Sequence, residues 1–209
     1  MKTANRHWTI EIWGPGCSTK GPPEKVCPVT ERKYPDLWVD PENDPRAPDA
    51  EAKGEKAVLG QYLDHYRMTL EMKCDGLDAE QLARRSVPPS TLSLLGLLRH
   101  MAKVEHSWFR RKIEQQDLPR LYWSEEDRDL DFNGAVADDD VVADAWEAWW
   151  REITHARKVY DGLDLDAVVD VDGEPTEARE IIVHMVEEYA RHAGHADLLR
   201  ECIDGRTGQ

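Results

Sequence analysis

A chain of 209 residues, 40% apolar and 33% charged, suits one globular body with an appendage. Forty-two acids against 27 bases leave a formal charge of −15. That field repels phosphate backbones, and the sequence shows no local basic patch to overcome it, which sets nucleic acid aside as a partner. No run approaches the ~20 apolar residues a bilayer span needs, and Met1 to Trp13 lacks the apolar segment of a secretory signal. The expectation is a cytoplasmic protein with no membrane partner.

Residues 1–50 form an irregular arm. Eleven glycines and prolines between Gly14 and Pro48 rule out a long helix. His7 to Trp13 alternates well enough for a short strand, and Trp8, Ile10, Trp13, Leu37 and Trp38 are too apolar for a solvated tail. The arm is therefore expected to pack on the body or on a partner subunit. Cys17, Cys27, Cys74 and Cys202 match no C-x-x-C spacing and are read as free thiols.

Residues 51–209 read as the body. Leu59, Leu63, Tyr66, Leu70 and Cys74 recur at steps of three and four, one face of a first helix that starts near Glu55 and stops at Gly76. A hydroxyl cap within Pro88-Pro89-Ser90-Thr91 should open a second helix, about Leu92 to Gln115, with Leu94, Leu97, Leu98, Met101, Val104 and Trp108 inward. Asp117 to Asp140 is a long, acidic connection of little pattern, a length associated with function or disorder. A third helix spans Asp140 to Asp161, Asp172-Gly173 marks a turn flanked by short extended pieces, and Thr176 caps a fourth helix that runs to about Ile203. Four such helices predict an all-α fold, a four-helix bundle with an irregular proline-rich N-terminal arm.

On the fourth helix Ile181, Met185, Glu188, His192, His195 and Leu199 are spaced 4, 3, 4, 3, 4, a single inward stripe. Three of the six are ionisable, and such groups must be paired, solvated in a cavity or bound to metal when buried. Glu188 and His192 stand one turn apart and could share one ion. A solvated surface pair is the competing reading of that spacing. On the second helix His100 lies among apolar neighbours, where a satisfied core histidine is the commoner reading and a ligand the competing one. His106 and, on the first helix, His65 compete with it, while His184 is read as structural and His7 and His155 have no supporting pattern.

Leu94 to Met101 (LLGLLRHM) with Glu105 and Trp108, and His184 to Asp197 (HMVEEYARHAGHAD), resemble the DinB-like family of metal-binding bundles. Tyr62 to Arg67, continuing through Lys73 to Gly76-Leu77, is similar to its first helix, and the likeness covers about Leu37 to Gly205. The family triad, one histidine on the second helix and two residues four apart on the last, maps onto His100, Glu188 and His192. Glutamate at the middle position resembles the branch of mycothiol-dependent maleylpyruvate isomerase N-terminal domains. Common members follow the last ligand with Gly-Gln, where this chain has Gly194-His195. Residues 1–35 have no counterpart.

The resemblance implies a divalent ion, zinc first with nickel, manganese or iron as alternatives. It also implies a low-molecular-weight thiol such as mycothiol or bacillithiol. Two imidazoles and a carboxylate leave coordination positions open, so the expected activity is metal-dependent thiol S-transfer or isomerisation on a small-molecule substrate. Arg67 and His195 are candidates for orienting substrate or moving a proton. A metal-dependent hydrolase and a non-catalytic, stress-associated metal-binding protein are the competing functions, and a homodimer is implied by the family and the apolar arm.

Overall fold

The computed structural model describes residues 34, 36–47 and 51–208. The expected strand at His7–Trp13, Cys17, Cys27 and most of the proline-rich arm lie outside the described residues. The described body is a helical bundle whose long members are α1 (Glu55–Cys74), α3 (Leu94–Glu105), α5 (Asp139–Gly162) and α6 (Ala178–Asp204). Two short helices, α2 (Ala79–Ala83) and α4 (Leu130–Asn133), lie in the connections, and β1 (Val168–Val171) pairs antiparallel with β2 (Glu174–Glu177). α1 packs on α6 and α3 on α5. Leu63 and Leu70, Leu94, Leu97, Leu98 and Met101, Trp149 and Ile153, and Ile182 and Met185 supply their shared core.

Local chemistry sets most boundaries. The Ser93 hydroxyl accepts from the Gly96 N–H at 3.1 Å and opens α3, so the cap falls two residues beyond the expected Ser90-Thr91 stretch. Asp78 and Gln81 form a reciprocal capping box that starts α2, a helix too short to register as periodicity. Asp138 caps α5, accepting from the N–H groups of Asp140 and Val141. Gly205 ends α6 at φ +78°, left-handed backbone that glycine adopts without a Cβ clash. Thr176 does not cap α6; it pairs with Val169 inside β2, and Glu177 takes the cap position without a side-chain bond.

Beyond Glu105 the α3 backbone widens into a π-helical segment, His106–Ile113. There the Glu114 N–H donates to the Phe109 carbonyl at 3.1 Å, a bond one residue longer than the α pattern. This segment abuts the hairpin: Gln115 Nε2 donates to the Asp170 carbonyl at 2.8 Å, and Lys112 pairs with Asp172.

At the opposite end of α1, Trp38 is buried at 2% exposure beneath three cations. Lys73 Nζ lies 3.8 Å from the ring centroid, and the Arg206 and Arg200 guanidinium carbons 3.6 and 5.2 Å from it. Arg200 donates to the carbonyls of Lys73 and Asp75 while Lys73 pairs with Asp197 at 2.8 Å, tying the end of α1 to α6.

A second buried network crosses the core. Arg67 on α1 grips Glu105 on α3 through Nε and Nη2, each at 2.8 Å, and reaches Asp64 through Nη1. Tyr189 on α6 donates to Glu105 at 2.8 Å, and Trp149 on α5 donates to the Tyr189 hydroxyl at 3.0 Å. All four long helices meet there. Burial opposes the Arg67 charge, but Glu105 outweighs it and holds the guanidinium protonated; burial beside Glu105 keeps Tyr189 a neutral phenol.

Candidate metal centre

His100 on α3 and Glu188 and His192 on α6 converge, with one ligand atom from each lying within 4.8 Å of the others. Two opposed bonds of ~2.1 Å span about 4.2 Å, so small rotamer changes would let one cation take all three. The rings of His100 and His192 meet edge to face at 4.7 Å between centroids. Glu188 Oε2 is 3.5 Å from His192 Nε2, and its other oxygen is 3.4 Å from His184 Nε2.

Each imidazole is held by its other nitrogen. His100 Nδ1 lies 2.8 Å from Asp131 Oδ2. Burial tends to raise the Asp131 pKa, but His100 and Lys103 win and hold it below the usual carboxylate range. An ionised carboxylate only accepts, so His100 Nδ1 carries the proton and Nε2 presents a lone pair. His192 turns Nδ1 toward His195 Nδ1, 3.3 Å away. Burial first, then His100, His195 and Arg191, push its pKa down to about 4. Neutral at pH 7, it is competent as a ligand. The donor set therefore fits a divalent transition ion.

The Asp131 contact depends on a close approach. A Cβ at Gly96 would come within 3.0 Å of the Phe132 ring and 3.1 Å of the Ser93 hydroxyl, so the bare glycine lets α4 settle on α3. Phe132 then stacks on His100 at 5.0 Å. Arg99 secures α4 by donating to the carbonyls of Leu130 and Asp131.

The other sequence candidates lie elsewhere. All three guanidinium nitrogens of Arg67 are engaged by Glu105 and Asp64 in the core network. His195 stands beside His192 but contributes no atom to the three-ligand group. His65 lines a cleft with Arg46 and Tyr66, His106 is buried on the π segment, and His155 pairs with Glu114 at 2.6 Å. Cys74 is buried and its thiol pushed up to about 12, which makes it inert at neutral pH.

The mycothiol-S-transferase family profile matches residues 58–205. The chain belongs to that family, one of the DinB-like bundles. A crystal structure of a conserved protein from Enterococcus faecalis superposes with a TM-score of 0.53 at 16% identity, over 74% of this chain and 99% of that one; it speaks to the fold alone. No curated protein matches the sequence significantly. No helix among the described residues is long and apolar enough to cross a membrane.

Membership frames what sequence reasoning missed in this S-transferase-family bundle. Asp131 lies in a connection without periodicity, and only the fold brings it to His100. A basic cleft is also hidden in the sequence, because Arg120 and Arg128 reach it from a connection without pattern. Lys103, Arg111 and Lys112 meet Arg120 and Arg128 from the next connection around a cavity of about 400 Å³. The expectation of no local basic patch fails in the folded chain, where the adjacent Arg111 and Lys112 are joined by Lys103, Arg120 and Arg128.

Proposed function

We propose that this chain is a metal-dependent S-transferase that uses a low-molecular-weight thiol, mycothiol by its family, with His100, Glu188 and His192 as metal ligands. One observation supports the reading above all: two imidazoles and a carboxylate from two helices converge, and each imidazole is oriented by a further partner. A divalent cation at that point would stabilise the thiolate of a bound thiol and so supply a nucleophile at neutral pH.

The chain's own residues do the rest. Asp131 keeps the proton of His100 on Nδ1 and its ring aimed inward. For His192 to offer Nε2, its Nδ1 must donate, and His195 is the acceptor at 3.3 Å. That makes His195 a positioning residue: with Nδ1 accepting from His192, its own proton sits on Nε2, which can donate to an arriving substrate. Glu188 adds the one negative charge of the donor set, and His184 steadies its second oxygen. Phe132 covers one face of His100 and limits water there.

The test is metal content by mass spectrometry in the wild type and in His192→Ala, followed by mycothiol titration of the cobalt-substituted protein. The expected result is one ion per wild-type chain, its loss in His192→Ala, and a thiolate-to-cobalt charge-transfer band on adding mycothiol. Equal metal in both proteins would remove the ligand set; metal without the band would remove the thiol chemistry.

A further inference from the structure

We propose that the basic cleft beside the ligand group binds the acceptor substrate and selects a small aromatic anion. This deepens the S-transferase reading and rests on it. The cleft is hemmed by Lys103, Arg111, Lys112, Arg120 and Arg128, with Asp172 the one acid in its lining, in a chain of net charge −15. Lys112 is answered by Asp172 and Lys103 by Asp131. Among the described residues no carboxylate lies within ion-pair distance of Arg111, Arg120 or Arg128. The Nε of Arg111 is buried and has no hydrogen-bond partner. That Nε is shielded from solvent, so it is the outer nitrogens of Arg111, with Arg120 and Arg128, that are left to meet a ligand in the cleft, and an oxyanion is the partner that guanidinium forks fit.

Two tryptophans make the remaining walls, Trp108 from the π segment and Trp123 from the connection. Arg120 lies over the Trp123 ring at 5.0 Å. Flat faces beside guanidinium forks suit a planar molecule bearing a carboxylate or phosphate, and about 400 Å³ is the size of a small ligand. The cleft connects to the ligand group through two chains of contacts. Trp108 packs on His184 at 4.8 Å, and His184 contacts Glu188; Lys103 pairs with Asp131, which holds His100. An anion anchored by the arginines would thus keep its other end near the thiol.

The experiment is calorimetric titration of the full, metal-loaded chain with 4-nitrobenzoate, phenyl phosphate and uncharged nitrobenzene. At least one anion should bind ~tenfold or more tightly than nitrobenzene, the scale of one charge-assisted contact. That preference should disappear in the triple variant Arg111→Gln, Arg120→Gln, Arg128→Gln while metal content stays unchanged. It should persist in His192→Ala, which separates failure of the cleft from failure of the metal site. Equal affinity for charged and uncharged probes, or a triple variant that keeps the preference, overturns the proposal. Saturating mycothiol should leave the anion bound; displacement would give the cleft to the thiol and overturn an acceptor site.

Discussion

Asp131 does two things with one buried carboxylate. One oxygen fixes the His100 ring at 2.8 Å, and the other pairs with Lys103 at 3.1 Å, on the edge of the basic cleft. Converting it to an amide keeps the shape and removes the charge that holds the proton on Nδ1. Asp131→Asn should therefore weaken metal binding by about 10–100-fold, the usual scale for a group behind a metal ligand, while leaving the helical content intact. Competition with a chelating dye reads this directly; unchanged affinity would show that His100 needs no support from α4. Of the three candidate ligands, Glu188 and His192 stand out in the sequence through the inward stripe on α6, because helical spacing alone puts them beside Ile181 and Met185. His100 was legible only as one of three histidines, since a histidine among leucines looks the same as a ligand or a core residue. Asp131 was invisible, because a short helix in a connection leaves no period to read.

The long helices were readable for the same reason that they are stable. Apolar residues at steps of three and four on α1, α3, α5 and α6 each bury a face, and most caps fall within a residue or two of their expected places. What escaped were departures from regular helix. After Glu105 the backbone changes from α to π, and the π segment carries Ser107, Trp108, Arg111 and Lys112 of the cleft lining. No sequence period announces such a change. The Arg67–Glu105–Tyr189–Trp149 network is likewise a tertiary event, although its members lie within the expected helices. It joins α1, α3, α5 and α6 at one point, so its loss should be felt by the whole bundle. Arg67→Ala leaves Glu105, which is fully buried, as an unpaired charge, and should cost about 3–5 kcal/mol in denaturant unfolding. A loss below about 1 kcal/mol, the scale of an exposed pair, would mean that water reaches Glu105 and the network is not closed.

For the molecule as a whole, His192, His106 and His65, all with lowered pKa, shape the response of the metal-free chain to acid. Burial lowers the pKa of His106 despite the opposing pull of Glu152, with Arg110, Arg111 and Arg151 pushing the same way as burial. Burial, helped by Arg46, also lowers that of His65. The unfolded chain then takes up these protons near pH 6.5 while the native chain resists until the pH is lower. In that window the unfolded state holds more protons, so stability rises with pH and is lost as the pH falls from about 6.5. Carboxylates held low, such as Asp44, lose their contribution only below the ordinary Asp value of 3.8, in a separate step. Melting temperature measured on metal-free protein between pH 7.5 and 4.5 should decline more shallowly in His106→Gln than in the wild type. Superimposable slopes would show that His106 takes up its proton at the same pH in the folded and unfolded chains.

The cationic cleft sits in a molecule whose sum of charges is strongly negative, and this sets arrival against retention for any anionic visitor. At a distance the acidic exterior pushes the visitor away, and dissolved salt should soften that push and quicken the first encounter. Once inside, the same visitor is gripped by guanidinium groups that salt weakens, so it should leave sooner. Such a chain would trade speed of entry for duration of stay as ionic strength changes, with the balance struck by one cluster of arginines.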